Sequence, residues 1–84
     1  MVAASFTPAR PVTGRDGQPD SLPAFARVEY RGRSYTVIWV GTSTLVSVEF
    51  TRWAGLGMIS ATRTVRSGPT RTAVLGLAQA ARTA

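Results

Sequence analysis

Residues 27–40 read RVEYRGRSYTVIWV, and the fold follows from how this stretch is read. Val28 and Tyr30 alternate with Arg27 and Glu29, the period of two that a strand requires and a helix does not. Arg31, Gly32 and Arg33 interrupt the alternation. A glycine in so short a connection accepts positive φ without a Cβ clash, so the stretch predicts a hairpin. Past the turn, Tyr35, Val37 and Trp39 share one parity while Ile38 and Val40 share the other. A strand apolar on both faces is one covered on both sides, which places Ser34–Val40 centrally in a sheet.

Working outward, residues 24–30 form the first predicted strand, with Ala24, Ala26, Val28 and Tyr30 on one face. GTST at 41–44 supplies the next turn. Leu45 to Trp53 then sets Val46, Val48 and Phe50 against Ser47, Glu49 and Thr51. AGLG at 54–57 breaks the pattern, and Met58 to Val65 reads as a fourth strand with Ile59, Ala61 and Val65 inward. Loops this short imply antiparallel pairing of sequential strands. From Ser67 the chain, SGPTRTAVLGLAQAARTA, changes to a helical period that groups Ala73, Val74, Leu77, Ala80 and Ala81. Ser67 or Gly68 suits the cap, and Pro69 falls in the first turn, where its missing N–H has no partner to lose. The expected fold is α+β: a four-stranded antiparallel meander over residues 24–84, with one C-terminal helix packed on one face.

Residues 1–23 hold four of the five prolines, Pro8, Pro11, Pro19 and Pro23, with Gly14 and Gly17. Without periodic apolar residues such a segment has little burial to offset its ordering entropy. It is expected to be an N-terminal arm, flexible alone or docked on a partner.

The net charge of +6 comes from ten arginines and no lysine, against Asp16, Asp20, Glu29 and Glu49. A genome rich in G and C explains arginine in place of lysine but not the excess of positive charge, which favours nucleic acid or an acidic protein as partner. With no cysteine or histidine, disulfides and the usual zinc sites are excluded. Lysine is missing too, so the common general bases, thiol nucleophiles and Schiff-base formers are lacking. No glycine-rich phosphate loop is present. We therefore expect no enzyme, no cofactor and no metal. The start of the chain has no apolar region of signal-peptide length and the runs around VIWV are too short to span a bilayer, so a soluble cytoplasmic protein with no membrane partner is expected. A folding unit of this size buries roughly 60% of its unfolded surface, and with disulfides and metals excluded a homo-oligomer is the remaining reinforcement.

A helix on one face leaves the other face of the sheet open. Arg27 and Glu29, Tyr35 and Trp39 or their neighbours, Glu49 and Trp53, and Arg66 are expected there, where guanidinium groups beside aromatic rings suit phosphates and stacked bases while the two glutamates repel phosphate. Arg31 and Arg33 on the glycine turn reach one phosphate backbone, or form a solvated turn. Arg63, Arg66 and Arg71 bracket the helix start, whose N–H groups already favour anions. The expected function is a small non-catalytic nucleic-acid-binding module using Arg27, Arg31, Arg33, Tyr35, Trp53, Arg66 and Arg71. The alternative is an assembly subunit or small inhibitor docking through the open face and the arm. Aromatics filling the core or a dimer interface, and Glu29 and Glu49 in cross-strand charge pairs, are the ordinary readings against both.

Overall fold

The computed structural model describes residues 3–14, 16, 17 and 19–84. Among the described residues seven strands precede one helix: β1 (Ala3–Thr7), β2 (Arg10–Thr13), β3 (Pro19–Leu22), β4 (Ala24–Tyr30), β5 (Arg33–Val40), β6 (Ser43–Ala54), β7 (Gly57–Thr64) and α1 (Pro69–Thr83). The α+β class, the antiparallel sheet and the single C-terminal helix are as the sequence predicts. The sheet, however, has five strands rather than four, in the order β1-β4-β5-β6-β7. The arm supplies the fifth. β1 pairs with β4 over Ala3↔Glu29 to Thr7↔Phe25, while β2 and β3 form a separate antiparallel pair. Arg15, which lies in the arm, falls outside the described residues.

The hairpins are built as their turn residues dictate. Arg31 and Gly32 take φ of 52° and 76° between the paired Tyr30 and Arg33, the sign pattern of a type I′ turn. Gly41 and Gly55 take φ of 59° and 56° at the first central position of the next two turns, where only glycine is free of strain.

Register then sorts the faces. Val28 pairs with Tyr35 and Tyr35 with Val48; Ala26 pairs with Val37 and Val37 with Val46. These six are buried and receive Val74 and Ala78, which are also buried and stand one helical turn apart on α1. Phe6 of β1 closes the side of this core, its ring centroid 5.7 Å from that of Trp39 in an edge-on contact. Trp39 is in turn covered by the guanidinium of Arg82, 4.8 Å above its ring centre. The core is small and made largely of valine and alanine.

The position of the helix decides which part of the sheet stays exposed. Gly68 occupies its N-cap and contributes no side-chain cap, and Pro69 stands in its first turn. Arg71 ties the start of α1 to the sheet, donating to the carbonyls of Val65 (2.9 Å) and Thr44 (3.3 Å). Thr44 pairs with Trp39, on which Arg82 rests. Both anchors therefore lie at one end of the sheet. The helix lies chiefly over β1 and β4 and touches β5 and β6 less, which leaves the far end of β6 and β7 uncovered. No helix among the described residues is long and apolar enough to cross a membrane.

Candidate functional site

The inward parity of the strands changes character at the end that α1 does not reach. Arg33 stands two residues before Tyr35, Arg52 two after Phe50 and Arg63 two after Ala61, so all three share the helix side of the sheet. Tyr30 pairs with Arg33, Phe50 with Ala61 and Arg52 with Ile59. Two residues past the last β5–β6 pair, Tyr35↔Val48, the register brings Arg33 level with Phe50. The guanidinium of Arg63 lies 5.3 Å above the Phe50 ring centre, and that of Arg31 lies 5.5 Å above Tyr30. Four exposed arginines thus surround two half-buried rings.

The charge on this side is uncompensated within the sheet. Glu29 and Glu49, the only carboxylates in its strands, have the opposite parity. On that other face Arg27 reaches over β5 to Glu49, with N and O 3.7 Å apart. Across that face Ser5, Arg27, Thr36, Ser47 and Thr64 follow one another by pairing, and Phe25, Ile38 and the exposed Leu45 form an apolar row beside them. The open face is therefore not the electropositive one.

Chemically, such a patch is of a kind suited to anions. Guanidinium groups are planar donors that pair with phosphate in a fork geometry. An aromatic ring beneath a guanidinium restricts its long stem, so less side-chain freedom is lost when a phosphate arrives. Because Tyr30 and Phe50 already carry Arg31 and Arg63, the arrangement suits phosphate contact better than base stacking.

The residues expected from the sequence separate in space. Arg31 and Arg33 belong to the patch. Arg27 stands on the opposite face beside Glu49. Tyr35 does not offer a stacking surface: it is only 6% exposed, in the core beneath the helix, with the Tyr30 ring edge-on to it at 6.4 Å. Trp53 is 70% exposed, near the tip of the β6–β7 hairpin and paired with Met58 on the face opposite the arginines. Arg66 is exposed in the link to the helix, and Arg71 is occupied by backbone carbonyls. The two do not join the others.

Arg52, Phe50 and Tyr30 are not among the residues expected from the sequence, which groups Arg63 with the helix start instead. A signal for them exists in the sequence. Continuing the inward parity of each strand past its apolar run meets arginine at 33, 52 and 63. It decides nothing until the reach of the helix is known.

No protein family, curated protein or solved structure matches the chain.

Proposed function

We propose that the protein is a non-catalytic module that binds nucleic acid through its phosphate backbone, using Arg31, Arg33, Arg52 and Arg63. The observation that supports this is the placement of four exposed arginines and two rings on one uncovered end of the sheet, with both sheet glutamates on the reverse side. Contacts of this kind position a nucleic acid without reading its sequence. Weak sequence preference is expected.

Salt titration of fluorescence anisotropy tests the reading. Each neutralised phosphate adds about 0.9 to the log–log salt slope on duplex and about 0.7 on single strands, so four contacts give a duplex slope of magnitude about 3–4. The pair Arg33→Gln and Arg63→Gln should lower that magnitude by about 1.8, while Arg27→Gln should leave it unchanged. Absence of binding at low salt, or a slope that falls equally with Arg27→Gln, overturns the assignment.

A second reading, that of an assembly subunit, draws support from a different observation. Trp53, Leu56 and Met58 are all exposed on the β6–β7 hairpin, an apolar group that a phosphate grip does not use.

A further inference from the structure

We propose that two copies of the chain join edge to edge through β7, forming one continuous ten-stranded antiparallel sheet across a two-fold axis at Ala61. β7 is an edge strand of the sheet. Closing pairs of two-residue hairpins exchange both backbone bonds, and bonding then alternates along the strand. Ala54↔Gly57 is such a pair. Val65 N–H donates to the Val46 carbonyl at 2.7 Å, which fixes the same odd-numbered parity at the other end. The odd-numbered residues of β7 therefore bond inward to β6. Met58, Ser60, Thr62 and Thr64 turn their N–H and C=O groups outward, where a second strand can take them.

The edge carries none of the usual guards. GMISATRT has no proline and no lysine. Its one charge, Arg63, is drawn back over Phe50. The need is also visible. β5 pairs with β6 only as far as Tyr35↔Val48, so Thr51–Ala54 and Gly57–Ser60 continue as a two-stranded ribbon. Such a ribbon is marginal alone, and a third strand is what it lacks.

The strand is complementary to itself. Side chains alternate between faces, so a two-fold must map each residue onto one of the same parity. Centring it on Ala61 sets Ser60 opposite Thr62 of the second copy, a favourable hydroxyl pair, and Met58 opposite Thr64. Ile59, 41% exposed, meets the stem of Arg63 of the second copy. Leu56, fully exposed in the turn, comes level with the second copy's Val65–Arg66 segment. A two-fold normal to the sheet keeps both helices on one side, so the two arginine patches face the same way. This pairing does not depend on the phosphate reading.

The absence of cysteine makes the test direct. Ala61 bonds inward, so across the axis it forms a non-hydrogen-bonded pair with its copy, with Cβ atoms about 4.5–5.5 Å apart, near disulfide reach. Ala61→Cys should yield a disulfide-linked dimer under mild oxidation, and Thr36→Cys should not. Light scattering should give twice the chain mass for the wild type. Thr62→Pro, which removes an outward N–H unused within one chain, should give the single-chain mass with unchanged far-UV circular dichroism. If Thr62→Pro does not fold, the crosslink decides. A wild type that stays monomeric at high concentration overturns the proposal, as does a dimer that Ala61→Cys does not link. Loss of nucleic-acid binding with the dimer intact would instead count against the arginine patch alone.

Discussion

Arginine does three separate jobs here, and its number in the sequence does not reveal which. Arg71 is half-buried and donates to two carbonyls across the start of α1. Arg27 meets a glutamate across an exposed face, where such a pair contributes little to stability. Arg31 holds φ of 52°, a left-handed conformation that costs a residue with a Cβ roughly 1–2 kcal/mol and that asparagine tolerates better. Strain kept in a turn invites a functional reason. A crossed outcome is expected from two substitutions followed by urea unfolding and salt-dependent anisotropy. Arg31→Asn should raise stability by up to about 1 kcal/mol while weakening nucleic-acid binding and lowering the salt slope. Arg71→Met should do the reverse, costing about 1–3 kcal/mol through the unpaired carbonyls and leaving the salt slope alone. Equal losses of binding in both would mean that Arg71 also touches phosphate.

At the scale of elements, what the sequence discloses depends on whether an element carries its own period. β4 to β7 alternate strongly and are separated by glycine turns, so their faces and pairing can be read directly. α1 is legible from its cap to its buried stripe, although Ala78, fully buried, lies outside the predicted apolar group. β1 is different: AASFT has one large apolar residue, Phe6, and joins the sheet because that ring packs against Trp39 and the β4 edge is vacant. A long-range pairing of this kind leaves no periodic trace. The candidate site is legible only in part for the same reason. Arg33, Arg52 and Arg63 have inward parity, and only the limited reach of α1 leaves them exposed.

Gly76 bears on that reach. It sits mid-helix with no atom within 4 Å of where a Cβ would project. Gly76→Ala should therefore stabilise the fold by about 1 kcal/mol, read as a higher urea midpoint at unchanged m-value. A loss of stability would show that the helix needs flexibility or a contact there.

For the whole molecule, eight buried residues among those described, mostly valine and alanine, anchor a chain of 84. A core that slight leaves little margin, and association is the reinforcement open to a chain without cysteine. Stability should then depend on concentration, because a dimer that forms only from folded chains pulls folding forward by mass action. Raising the concentration about a hundredfold adds about 2.7 kcal/mol per dimer, half of that per chain. In a domain this small, each kcal/mol moves the melting midpoint by roughly 4–8 °C. The wild-type midpoint should thus climb by about 5–10 °C over that range, and Thr62→Pro should flatten the dependence. Calorimetry at two concentrations separates the cases: a midpoint that stays fixed means that the valine core holds the chain folded by itself, and that the free edge of β7 serves something other than a second copy.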